Sequence, residues 1–130
     1  MIAGIGMDLL DIERVEQLLA QPHGQRFVER VLTERERELA AKRGNRLAEF
    51  VAGRFAAKEA VAKALGCGIG REVGFHDIRI APDERGKPEC RLSDAAWERL
   101  GVSEPLTIHL SITHSATTAG AYAVIEDRRQ

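Results

Sequence analysis

The residues of this 130-residue chain best equipped for chemistry sit in an odd setting. Arg54, Lys58, Glu59 and Lys63 fall in a stretch running to Gly66 that is otherwise Phe, Ala, Val and Leu. At about 100° per residue the stretch reads as a helix. Leu47, Phe50, Val51, Phe55, Ala62 and Leu65 line one side. Gly53, Ala56, Ala57, Ala60 and Ala64 line the other, with Glu49 the main exception. A helix that is small or apolar nearly all round is buried, or lets something pack close to its backbone. Charges in such a place are costly unless paired, metal-bound or ligand-bound. Asp8 is a second acidic residue in apolar company, at the end of a run of Ile, Ala, Gly and Met. Two carboxylates from separate elements, Asp8 and Glu59, are a typical protein share of a Mg²⁺ site. That ion prefers oxygen ligands, keeps waters and completes its shell with substrate phosphates. Lys58, Lys63, Arg54 and His114 could then hold phosphate oxygens, and the implied substrate is a diphosphate. Plainer readings stay open at this point. Asp8 could be a local cap or pair with Arg14, and Glu59 could simply pair with Lys63 four residues on.

Other motifs carry less. Ser111-Ile112-Thr113-His114-Ser115 lacks the G-x-S-x-G elbow of a hydrolase. His23, His76 and His109 have no metal-ligand spacing, and Gly68-Ile69-Gly70 lacks the rest of a dinucleotide fingerprint. A net charge of −1 provides no basic field for nucleic acid. Cys67 and Cys90 form no close metal-ligand pair and read as free thiols of a reducing compartment. The N-terminus lacks a basic n-region and meets Asp8 too early for a signal peptide. No apolar run approaches the roughly 20 residues that span a bilayer. These features predict one domain over 1–130 in the cytoplasm, with no membrane and no nucleic-acid partner.

The elements that must position these residues are legible in outline. Residues 2 to 9 read as a strand. Asp11 is the expected N-cap of a short helix to about residue 20, with Ile12, Val15 and Leu19 inward and Arg14 and Leu18 on a flank. Phe27, Val31 and Leu32 mark a second short helix. Thr33 and Glu36 form a capping-box signal for a charged helix to about Arg43. The long Ala-rich helix ends at Gly66, a natural C′ residue. Then come strands: Phe75 to Ile80, a turn at Asp83–Pro88, and Glu89 to Leu92. A Ser93-capped helix with Trp97 and Leu100 follows, and finally strands over Thr107–Thr113 and Ala119–Glu126. Helices early and hairpin strands late make the class α+β, an antiparallel sheet packed against a long, mostly buried Ala-rich helix with shorter helices.

Taken together, the blocks resemble a known family. They are Gly4-Ile5-Gly6-Met7-Asp8 with Arg14, then Arg26-Phe27-Val28-Glu29-Arg30-Val31-Leu32-Thr33, then Ala52 to Ala60 with Lys63 and Ala64-Leu65-Gly66. Gly86-Lys87-Pro88 and Ser111 to Ser115 before Tyr122-Ala123 complete the order. The chain resembles, over nearly its whole length, the holo-acyl-carrier-protein synthases, the short type of 4′-phosphopantetheinyl transferase. The resemblance implies transfer of phosphopantetheine from coenzyme A to a serine of apo acyl carrier protein, releasing adenosine 3′,5′-bisphosphate. It implies Asp8 and Glu59 as Mg²⁺ ligands and Lys63 at the phosphates or the attacking serine. It implies Arg54, Gly66 and His114 as further contacts to coenzyme A. It also implies Arg14, Leu18, Arg26 and Phe27 as the docking surface for the acidic helix of the carrier. A homotrimer with coenzyme A in clefts between subunits is expected, which would account for the Ala-lined surface.

Either Lys63 or a metal-bound water accepts the serine proton on this reading. The rival readings are a Mg²⁺-dependent diphosphate hydrolase using the same carboxylates, and a non-catalytic module that grips coenzyme A or a carrier. The joint presence of Asp8, Glu59 and Lys63 argues against the second.

Overall fold

The computed structural model describes residues 1–129. Its elements are β1 (Ile2–Asp11), α1 (Ile12–Ala20), α2 (Gly24–Val31), α3 (Glu34–Ala40), α4 (Leu47–Ala64), β2 (Ile78–Pro82), β3 (Pro88–Leu92), α5 (Asp94–Arg99), β4 (Thr107–His114) and β5 (Thr118–Glu126). Short 3₁₀ turns occupy Gly44–Arg46 and Phe75–Asp77. The class is α+β, with two antiparallel sheets: β1-β5-β4 and the β2-β3 hairpin.

α4 is the axle of the fold. Val51, Ala52, Ala56, Ala57, Ala60, Val61 and Ala62 are all at 0% exposure. One flank packs with β2, β3, α5 and the inner face of the large sheet, through Ile78, Ile80, Trp97, Leu110 and Ile125. The other meets α1 and α2 through Ile12, Val15, Val28 and Val31. β1 lies almost on the helix backbone. A Cβ at Gly4 would collide with the Ala64 carbonyl oxygen, and one at Gly6 with that of Ala60. Glycine at those two positions is a packing requirement.

That geometry corrects one expectation. The alanine-lined side of α4 is not left for a neighbouring subunit, because the chain's own sheet covers it. The exposed apolar surface is instead the outer face of that sheet. Ile5, Met7, Leu9 and Tyr122 are 44–64% exposed there, with Met7 directly opposite Tyr122.

Local signals hold with small adjustments. Thr33 and Glu36 close a reciprocal capping box, and the Ser93 hydroxyl accepts from Ala96 N–H. Gly66 follows α4 at φ +82°, and its N–H donates to the Lys63 carbonyl at 2.9 Å. That left-handed backbone suits glycine. Asp11 occupies the N-cap of α1, but its side chain makes no capping bond. α3 ends at Ala40, not Arg43. The expected strand at Phe75 starts only at Ile78, because Asp77 accepts the Gly74 N–H at 2.8 Å and folds 75–77 into a turn.

Candidate active site

Asp8, Glu59 and Lys63 converge where β1 passes the C-terminal half of α4. The Lys63 ammonium donates to Asp8 Oδ1 at 2.9 Å and to the Met7 carbonyl at 3.1 Å. Among the described residues, the ion pair of Lys63 is therefore with Asp8, not with Glu59 on its own helix or Asp8 with Arg14. Burial, and then the charge of Asp8, push the Glu59 carboxyl above its ordinary value, with Lys63 pulling it back. A carboxylate made costlier to ionise by a second one beside it is what a divalent cation relieves. Among the described residues no cluster of three or more His, Cys, Asp or Glu occurs. The protein thus offers two carboxylates, a donor set that fits Mg²⁺ with water and substrate filling the shell. Gly66 sits at the same end of α4, exposed, just after Lys63.

Arg54 and His114 are elsewhere. In the sheet register His114 aligns with Ala119 and Leu10, whereas Asp8 aligns with Ala121 and Ile112. His114 is therefore two strands across and two residues along from Asp8, about 12 Å away between backbones. It meets the N-terminal turn of α4, where its Nε2 lies 3.2 Å from Glu49 Oε1. Arg46 donates to the same oxygen at 2.7 Å. The Arg46 hydrogen bond, with smaller help from His114 and Arg43, holds the Glu49 carboxyl below its usual range. The guanidinium groups of Arg43 and Arg54 both stack on Phe50, at 4.7 and 4.5 Å from the ring centre. Burial lowers the Arg54 pKa, opposed by Glu36, but a guanidinium stays charged. This end of α4 is thus a cationic basin around a single carboxylate. Sequence reasoning missed Arg43 and the Glu49–His114 contact. The i,i+3 spacing of Arg46 and Glu49 was the one local signal for it.

Lys58 requires a correction. Its side chain is 0% exposed and its ammonium donates to Glu36 Oε1 at 2.6 Å, to the Val31 carbonyl at 2.7 Å and to the Phe75 carbonyl at 3.0 Å. An ammonium has three protons. All three are committed, so Lys58 does not hold phosphate.

The four residues expected to dock a partner lie on α1 and α2. Arg14 and Arg26 are exposed, and neither forms an ion pair among the described residues. Leu18 and Phe27 are half-buried, and Phe27 stacks on Phe55 at 6.1 Å. α1 begins four residues after Asp8, so the patch adjoins the carboxylates through continuous chain.

Among the described residues no helix is long and apolar enough to cross a membrane. Comparison with known proteins places residues 4–123 in a match to the model of the 4′-phosphopantetheinyl transferase superfamily. A holo-[acyl-carrier-protein] synthase of Bacillus cytotoxicus is 48% identical over 128 residues, covering 97% of both chains. A crystal structure of a holo-(acyl-carrier-protein) synthase from Bacillus anthracis, in complex with CoA (3′,5′-ADP), is similar with TM-score 0.80 and 47% identity over 97% of each chain. The corresponding structure from Neisseria meningitidis gives TM-score 0.85 and 38% identity over 98% of this chain and 100% of that one.

Proposed function

This chain belongs to the 4′-phosphopantetheinyl transferase superfamily, and on that premise we propose that it moves the phosphopantetheine of coenzyme A onto a serine of apo acyl carrier protein. The relatives it matches carry the name holo-[acyl-carrier-protein] synthase, and one was solved with CoA (3′,5′-ADP). The observation that carries the reading is the meeting of Asp8, Glu59 and Lys63 at a solvent-accessible edge of β1 and α4.

Asp8 and Glu59 would hold Mg²⁺, and the bound ion supplies charge neutralisation on the diphosphate. The residues of the chain do the rest by positioning. Lys63 spends two of its protons on Met7 and Asp8 and keeps a third for a phosphate oxygen. The serine oxygen bonds to the phosphorus that bears pantetheine. The bridging oxygen leaves with adenosine 3′,5′-bisphosphate, and the serine loses its proton. Lys63, bonded to Met7 and Asp8, is placed to clamp the diphosphate, and the serine proton passes to water. The unpaired Arg14 and Arg26, with Leu18 and Phe27 beside them, fit an acidic amphipathic helix of the carrier.

Arg54 and His114 stand away from Asp8, beside Phe50 and Glu49 on the N-terminal half of α4. A second copy would join the two ends: Asp8, Glu59, Lys63 and Gly66 from one subunit, the cationic basin of Arg54 and His114 from its neighbour. The outer sheet face of Ile5, Met7, Leu9 and Tyr122 is the apolar surface such an assembly would cover. A homotrimer acting in the cytoplasm is the proposed form. The test is to incubate the chain with coenzyme A, Mg²⁺ and apo carrier protein and weigh the carrier. Gain of one phosphopantetheinyl group, abolished in Asp8→Asn, is expected. Coenzyme A consumed with the carrier unchanged would point to a hydrolase instead.

A further inference from the structure

The buried Lys58–Glu36 pair has no task in the transfer, yet it is the most completely satisfied polar group in the interior. Glu36 Oε1 accepts from Lys58 at 2.6 Å and from the Thr33 N–H at 2.8 Å. Its Oε2 accepts from the Ile80 N–H at 2.8 Å. Lys58 adds the carbonyls of Val31 and Phe75. One pair therefore joins α2, α3, α4, β2 and the 75–77 turn.

A pair like this is weak evidence for stability, because apolar groups of equal volume often serve as well. Its use lies in direction. Most buried helices orient by an amphipathic stripe. α4 has none: it is small or apolar nearly all round, and no polar face marks which way it turns. β1 sets its height through Gly4 and Gly6 but grips a single side. Lys58 and Glu59 are consecutive, so they point about 100° apart around the axis. Fixing the direction of Lys58 fixes that of Glu59.

The same ammonium also ends α2. That helix stops at Val31 with an extended residue, Leu32, and no glycine. The Val31 carbonyl is taken by Lys58 and the Leu32 carbonyl by Arg37 at 2.8 Å. Cations at a helix C-terminus satisfy its free carbonyls and its dipole. α2 bears Arg26 and Phe27. The helix offered to the carrier is thus moored to the helix that bears Glu59.

We infer that Lys58 and Glu36 are positioning residues: they set the rotation of α4 that turns Glu59 toward Asp8, and hold α2 in register with it. The inference rests on the reading of Asp8 and Glu59 as a metal-binding pair. The test uses the full-length double variant Lys58→Met/Glu36→Gln, which removes both charges of the pair together. Measured well below its own unfolding midpoint, its Mn²⁺ dissociation constant, read by electron paramagnetic resonance of free Mn²⁺ with coenzyme A and no carrier, should rise about tenfold, as for other residues that orient metal ligands. Its kcat should fall with little change in the KM for coenzyme A. Its metal-free crystal structure should show the Asp8–Lys63 ion pair broken and α4 turned. Mn²⁺ binding within twofold of wild type, with that ion pair intact, would overturn the inference. So would losses that track only the unfolded fraction. If the double variant does not fold, Glu36→Gln alone, which keeps both carbonyl bonds of Lys58, decides: an unchanged Mn²⁺ constant rejects the inference, and a rise of threefold or more supports it. Should wild type and Asp8→Asn bind Mn²⁺ equally poorly, the metal reading fails by itself, and the crystallographic arm still decides the positioning role.

Discussion

Lys58 and Lys63 lie five residues apart on α4 and use their protons in opposite ways. Lys58 faces the interior, with Glu36 and two backbone carbonyls taking every proton it has. Lys63 reaches the edge of β1, half exposed, with one proton uncommitted beside two carboxylates. The first region is closed and fully paired, and the second is open and underpaired. A charge in an alanine-rich helix is therefore not by itself a sign of chemistry. The difference is whether its hydrogen-bonding capacity is exhausted inside the fold, since an exhausted group has nothing left for a ligand.

The contrast between the two lysines is tested most directly by making the same substitution at each. Lys58→Met strands the Glu36 carboxylate in the core and should cost about 3–5 kcal/mol of stability, seen in urea unfolding. Lys63→Met removes a half-exposed pair and should change stability by less than about 1 kcal/mol. Its phosphopantetheinyl transfer should nonetheless drop by at least about a hundredfold through loss of a phosphate clamp. Equal stability losses in the two variants would erase the distinction.

The next largest effect tests the contact that builds the open side. Gly6→Ala drives a methyl group into the Ala60 carbonyl and must lift β1 from α4. A loss of about 2–3 kcal/mol is expected, together with weakened transfer, because Asp8 rides on that strand. Full activity at an unchanged unfolding midpoint would show that β1 tolerates displacement.

The smallest effect concerns the closed side. Burial raises the Asp77 carboxyl, but hydrogen bonds from Ser93 and Gly74 and the Arg99 guanidinium outweigh it and hold it below its ordinary value. That side chain shapes the turn whose Phe75 carbonyl receives Lys58. A depressed acid stabilises the fold fully above its unfolded pKa, and the contribution is lost as pH falls through the folded one. Asp77→Asn should therefore cost about 1 kcal/mol at neutral pH, and the gap to wild type should close below about pH 4. A gap that stays constant with pH would show that the charge of Asp77 is not involved.

Much of the molecule could be read from residue order because the signals are local. The capping box of Thr33 and Glu36, the Ser93 cap, the stop at Gly66 and the alternation of Ile108, Leu110 and Ile112 each depend on neighbours within one turn or one strand. Asp8 and Glu59 stood out as carboxylates in apolar company, and the fold brings them together. The Phe75 boundary failed because Ile78 and Ile80 set a strand period that a side-chain bond from Asp77 interrupts upstream.

Residue order dictated the helices, the strands and the types of the reactive side chains, because propensity and periodicity act over a few residues. It could not say which lysine would be consumed by the core, which side of α4 would be covered, or that Arg54 and His114 would stand apart from Asp8. Those outcomes depend on partners far off in the chain, such as Val31, 27 residues from Lys58, and Asp8, 55 residues from Lys63. Burial and hydrogen-bond saturation are properties of the packed neighbourhood, and that neighbourhood exists only once the chain has closed on itself.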